Sequence, residues 1–183
     1  MTRLLRRISN KELWSELADS PYWEKSDCPP QLLEQVFDSR GISTYLVDSD
    51  DDIKRVVAAV SLGWGTFKDF AFVLLNENDV KQLKLTIEKS QSDLFDKEIN
   101  NRHRDLKNAS GLSLIRLVKL IQEKGEFRVV ARSEIIELIN GYLANDTFQR
   151  NAIFPDKKDI ERNGKILGDL WRKGYLNLQQ PRP

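Results

Sequence analysis

Residues 70–76, FAFVLLN, are apolar at every position but the last. A strand with that composition has to be covered on both faces, so helices are expected on each side of the sheet that holds it. Working outward, residues 42–48, ISTYLVD, are rich in β-branched and aromatic side chains and read as a second strand. Between the two lies SDDDIKRVVAAVSLGWG (residues 49–65), where Ile53, Val56, Val57 and Val60 form a helical stripe. A helix and more than 20 residues separate the strands. That is enough for a right-handed β-α-β crossover, and it predicts parallel pairing. The expectation is a helix-rich α/β region built on a small, mostly parallel sheet.

The flanking segments are punctuated more simply. SNKELWSELADSPYW (residues 9–23) has Ser9 or Asn10 as a helix cap, Leu13 and Leu17 one turn apart, and a stop before Pro21. QLLEQVFDSRG (residues 31–41) spaces Leu32, Leu33, Val36 and Phe37 helically, with Pro30 at the first turn and Gly41 past the end. The opening MTRLLRRISN has an apolar run of only two leucines, too short for a signal peptide or membrane span. It reads as a short amphipathic helix or a frayed end. From Asn78 or Asp79 a helix is expected through VKQLKLTIEKS. The polar stretch QSDLFDKEINNRHRDLKNASG then marks a division near residue 108, giving domains 1–108 and 109–183.

Composition narrows the class. At 183 residues, 40% hydrophobic and 31% charged, the chain suits a soluble globular protein able to bury a sizeable core. The single cysteine, Cys28, excludes an internal disulfide and a cysteine-cluster zinc site, and a lone thiol fits a reducing cytoplasm. The net charge of +1 conceals an asymmetry. Residues 1–100 carry 13 Lys or Arg against 18 Asp or Glu, whereas residues 101–183 carry 16 against 10. Clustered cations raise affinity for polyanions whatever the total charge.

In the C-terminal third, SGLSLIRLVKLIQEKGE is a helix with Leu114, Leu117, Val118 and Ile121 on one face, ended by Gly125. FRVVA is a strand candidate, and RSEIIELINGYLAND a helix from a serine cap. After Pro155 comes DKKDIERNGKILGDLWRKGYLNL (residues 156–178), with Ile160, Leu167, Leu170 and Trp171 inward and GYLNL leaving as a strand. This order of helix, strand, helix, helix, strand over about residues 110–180 resembles the winged-helix family of DNA-binding domains. ILGDLWRKGYLNL is similar to the end of that family's recognition helix and its passage into the wing. The stretch NDTFQRNAIFPDK departs from the family by lengthening the gap before the third helix.

The resemblance implies that the third helix enters the major groove, with cations on phosphates and polar side chains on base edges. The nucleic-acid-binding residues it implies are Lys157, Lys158, Arg162, Asn163, Lys165, Arg172 and Lys173, with Asn177, Gln179, Gln180 and Arg182 on the wing. Gly164 and Gly168 each cost about 1 kcal/mol in a helix interior. The preferred reading is therefore a turn at Asn163–Gly164, leaving KILGDLWRKG as the recognition helix.

Other candidates have plainer readings. The acidic run Asp48 to Asp52 follows a strand end, where carboxylates can hold Mg²⁺ for phosphoryl chemistry, with Asp69 or Glu77 as further ligands. Capping of the next helix explains it more simply. His103, between Arg102 and Arg104, suits an exposed phosphate contact or no function. Trp64, between glycines, reads as a core plug; Tyr22 and Trp23 read as a contact patch or a cover for the domain's own edge. No phosphate-binding loop, dinucleotide fingerprint or serine-elbow motif occurs.

The sequence thus predicts a cytoplasmic, non-enzymatic accessory or regulatory protein that binds nucleic acid, duplex DNA in first place. It assigns no catalytic residue, metal, cofactor or membrane contact. The alternative is a protein-interaction or oligomerisation module, with Trp171 or Trp23 as anchor.

Overall fold

In a computed structural model, residues 2–21, 28–36, 42–64, 67–92, 94–145 and 147–148 are described. Seven helices and six strands occur among them, in the order β1 (Arg3–Arg7), α1 (Lys11–Glu16), α2 (Pro30–Val36), β2 (Ile42–Val47), α3 (Asp50–Trp64), β3 (Phe70–Asn76), α4 (Glu77–Lys81), β4 (Thr86–Lys89), α5 (Lys97–Arg102), β5 (His103–Lys107), α6 (Gly111–Lys124), β6 (Glu126–Val130) and α7 (Arg132–Ala144). The strands form one sheet, ordered β4-β5-β2-β1-β3-β6.

The expected mostly parallel sheet is not what forms. β1 pairs antiparallel with both β2 and β3, β2 with β5, and β4 with β5, giving an antiparallel α+β fold. β2 and β3 run in the same direction, as a crossover requires, but β1 lies between them, and each bonds to it and not to the other. That strand comes from the opening MTRLLRRISN, expected to be a helix or a frayed end. Leu4 and Leu5 point to opposite faces and are both buried, at 0% and 1% exposure, so two consecutive leucines suffice for a strand covered on both sides. The arginines beside them are tolerated because their heads find oxygen. Arg6 donates to the carbonyls of Ser43 at 2.9 Å and Gln35 at 3.5 Å.

One further segment differs from its expected state. The helix expected to run from Asn78 stops at Lys81, and Thr86–Lys89 is a strand. The turn between them holds Lys84 at a positive φ of 59°. The polar stretch before residue 108 contains α5 and β5, whose Leu106 pairs with Ile42 at the sheet's interior.

By contacts the chain divides into two units, each drawn from several segments: residues 1–53, 71–92 and 101–129, and residues 54–70, 93–100 and 130–183. In the first, one face of the sheet (Leu4, Ile42, Val73, Leu75 and Leu106) joins a single apolar core with Trp14 of α1, Leu32 and Val36 of α2, and Leu117, Val118 and Ile121 of α6. Each such side chain contributes about 1.5–3 kcal/mol on full burial. In the second, Phe148 sits against Tyr142 of α7 at 4.9 Å and edge-on to Phe95 at 5.0 Å between ring centroids. The helix expected to start from a serine cap starts instead at Arg132, whose amide donates to the Asp69 carboxylate at 2.9 Å.

Candidate functional site

Strand alternation sends Ile42 and Thr44 of β2 and Leu106 of β5 toward the apolar core, and the residues between them toward the other face. On that second face Ser43 stands opposite Asp105, and Tyr45 opposite His103. Arg7 shares the side of β1 that carries Leu5. This half of the sheet therefore carries a polar row of Arg7, Ser43, Tyr45, His103 and Asp105, three of whose ionisable groups are displaced from their ordinary values. Displaced ionisations gathered in one place mark a candidate functional site.

His103 is its centre. The residue is 6% exposed, with the Tyr45 ring edge-on to its own at 5.0 Å. Nδ1 lies 2.7 Å from the Ser90 hydroxyl, and Nε2 faces Asp105 Oδ1 at 3.9 Å. Burial lowers the pKa of His103; the charge of Asp105 and a hydrogen bond to the Ser90 backbone oppose that shift, and Arg104 adds to it. When the neutral ring carries its proton on Nε2, toward Asp105, Nδ1 is free to accept from the Ser90 hydroxyl. Tyr45 is pushed up to about 12, by burial first, with a hydrogen bond to Ser92 opposing and Asp105 adding. Burial also lowers Arg7. Asp105 accepts from the Ser43 hydroxyl at 3.3 Å. His103 is thus a buried base beside a hydroxyl, and not the exposed phosphate contact that its arginine neighbours suggested.

The acidic run has a different use. Ser49 and Asp52 cap α3 reciprocally: Asp52 accepts the amides of Asp48 (2.9 Å) and Ser49 (3.1 Å), while the Ser49 hydroxyl accepts the amide of Asp52 (3.1 Å). Arg102 pairs with Asp52 at 2.9 Å, and Arg128 with Asp50 at 3.0 Å. Asp48 accepts from the Thr2 hydroxyl at 2.7 Å. Glu77, another proposed metal ligand, pairs with Lys81 at 2.9 Å, and Asp69 caps α7. Among the described residues no three His, Cys, Asp or Glu side chains gather as a metal site would need.

A cavity of about 330 Å³ lies in the second unit, lined by Arg55, Phe95, Asp96, Lys97, Glu98, Thr147 and Phe148. Asp96 and Glu98 hold the guanidinium of Arg55 at its wall.

The nucleic-acid-binding residues named from the sequence, Lys157, Lys158, Arg162, Asn163, Lys165, Arg172 and Lys173, lie outside the described residues, as do Trp171, Tyr22 and Trp23. Of Trp64 only the backbone, at the end of α3, is described. Cys28 is buried in the apolar core of the first unit. The polar row went unread because its signal, the two-residue alternation of HRDLK and of IST, sat in a stretch whose polarity suggested a boundary.

No protein-family model, no curated protein and no solved structure matches the chain. Among the described residues no helix is long and apolar enough to cross a membrane.

Proposed function

We propose that the protein binds nucleic acid, duplex DNA foremost, through the basic segment at residues 157–173. The observation that carries this reading is where the positive charge goes. Of the cations in residues 101–148, Arg102, Lys107, Lys124 and Arg128 pair with Asp52, Glu88, Asp79 and Asp50. Residues 149–183 then hold 8 Lys or Arg against 4 Asp or Glu, so the surplus of this half is concentrated in them. A local surplus of that kind draws a polyanion by releasing its condensed counterions.

The alternative, an interaction module, calls for an exposed apolar patch. Among the described residues the exposed large hydrophobics are Leu112 and Val129, on different elements.

Titration of a fluorescent duplex with the full chain at several salt concentrations tests the reading. Affinity is expected to fall steeply with salt, and replacing Lys158, Arg162 and Lys165 with Ala to flatten the slope of log affinity against log salt by about 2–3. Absence of binding at low salt defeats it.

A further inference from the structure

We propose that Ser90 is a nucleophilic hydroxyl, with His103 as its general base and Asp105 as the residue that positions the ring, and that it accepts the acyl group of an activated ester. This activity is separate from nucleic-acid binding and uses none of the residues assigned to it.

The geometry carries the proposal. A base must lie within about 2.6–3.2 Å of the proton it removes, and His103 Nδ1 stands 2.7 Å from the Ser90 oxygen. A nucleophile, a base within reach and a third group on the base's far side make up a recurrent arrangement for acyl transfer, known by its geometry and not by chain order. Asp105 Oδ1 faces Nε2 at 3.9 Å, beyond hydrogen-bond range, so it acts on the ring through its charge, and it is itself held by Ser43 at 3.3 Å. Three elements fix these groups. Ser90 follows β4 directly, its amide donating to the His103 carbonyl at 3.4 Å; His103 and Asp105 sit two residues apart on β5, on one face; and Ser43 lies across from Asp105 on β2. Tyr45 packs edge-on to the ring and keeps it from swinging away. His103 is buried, whereas Ser90 is half-buried.

The reaction balances without a cofactor. Ser90 Oγ forms a bond to the ester's carbonyl carbon as its proton passes to His103 Nδ1. The bond between that carbon and the leaving oxygen then breaks, and the leaving group takes the proton from Nδ1. Water, giving its proton to the same nitrogen, then attacks the carbonyl carbon of the acyl-serine; the bond from that carbon to Ser90 Oγ breaks, Oγ takes the proton back from Nδ1, and the carboxylic acid leaves. An ester with a good leaving group is the substrate class.

The test uses the full chain with p-nitrophenyl acetate, measuring nitrophenolate release and locating the acetyl group by peptide mass spectrometry. Acetylation of Ser90 is expected, abolished by Ser90→Ala and slowed about a hundredfold or more by His103→Asn. In the unaltered protein the rate should rise from acid pH and level off once His103 is neutral. Asp105→Asn should lower the rate and move that profile, which a merely structural role would not do. Acetyl groups confined to lysines, or Ser90 acetylated equally fast in His103→Asn, overturn the proposal. Should His103→Asn fail to fold by circular dichroism, the pH profile decides: a rate that climbs with hydroxide throughout, without a plateau, overturns it as well.

Discussion

Arg55 grips Asp96 with two parallel bonds, Nε to Oδ2 at 2.8 Å and Nη2 to Oδ1 at 3.2 Å, and the Asp96 side chain is only 5% exposed. The same carboxylate opens α5, accepting the amides of Glu98 at 2.9 Å and Ile99 at 3.3 Å. One side chain therefore serves as helix cap and as ion-pair partner. For Arg55 burial alone would lower the pKa, and the contacts with Asp96 and Glu98 outweigh it, so the net shift is upward. Asp96→Ala removes both roles and leaves a guanidinium short of its partner, which should cost about 2–4 kcal/mol. Arg55→Ala leaves Asp96 its two amides and should cost less, about 1–2 kcal/mol. Urea unfolding of the two variants and of the double variant checks both the order and the coupling.

Gly125 and Gly141 should respond oppositely to alanine. A Cβ on Gly125 would run into the Ile121 carbonyl, to which the Gly125 amide donates at 2.9 Å, and would stand 2.6 Å from the Val73 side chain. Its φ of −68° is open to any residue, so the constraint is space between α6 and β3 and not backbone freedom. Gly125→Ala should destabilise by about 1–3 kcal/mol. Gly141, inside α7, has nothing within 4 Å of an added Cβ, and Gly141→Ala should stabilise by about 0.5–1 kcal/mol. Thermal melts of the two single variants decide it.

What could be read from the sequence followed how much local pattern each element carries. α3 spreads an apolar stripe over 15 residues and α6 over 14, with Ser110 capping α6, and both stand where periodicity put them. β2 and β3 carry enough β-branched and aromatic residues to be read alone. β1, β4 and β5 do not. RLLRR offers two leucines among three arginines, and TIEK and HRDLK one apolar residue each, so their strand state is set by the neighbours that pair with them. Missing β1 turned an antiparallel sheet into an expected parallel one, because β2-α3-β3 alone satisfies every rule for a crossover. The polar row was lost for the same reason. Ser43, Tyr45, His103 and Asp105 become neighbours only once β5 is placed against β2, and that pairing joins residues about 60 apart in sequence.

The buried His103 gives the protein an acid-sensitive limb. Its folded pKa is lowered from 6.5, so the folded state binds this proton less readily than the unfolded chain does. Stability from this group is complete above about 6.5 and is lost as pH falls through the lower, folded value. The midpoint of thermal unfolding should drop as pH falls below about 6.5. His103→Gln, which keeps an acceptor for Ser90 but cannot titrate, should flatten that part of the curve. A slope unchanged in the variant would mean that other groups produce it.

Asp52 should contribute a second limb at lower pH. Burial alone would raise its pKa, but the amide of Asp48, the charge of Arg102 and the hydroxyl and amide of Ser49 outweigh it and hold the carboxyl below its ordinary 3.8. A lowered carboxylate contributes stability above the unfolded pKa and loses it as pH falls through the folded one, so the loss belongs to the window below about 3.8. Within the acidic run the residues should then differ sharply. Asp52→Ala removes half of the reciprocal cap on α3 and the partner of Arg102 at 2.9 Å, and should cost about 1–2 kcal/mol. Asp50→Ala removes pairs with Arg128 at 3.0 Å and Arg3 at 3.9 Å from a side chain 69% exposed, where such bridges contribute about 0–1 kcal/mol and are screened by salt. Chemical denaturation of the two variants in low and high salt separates the cases: the deficit of Asp50→Ala should shrink as salt is added, and most of the deficit of Asp52→Ala should persist, because a cap made of backbone amides is held by geometry more than by net charge.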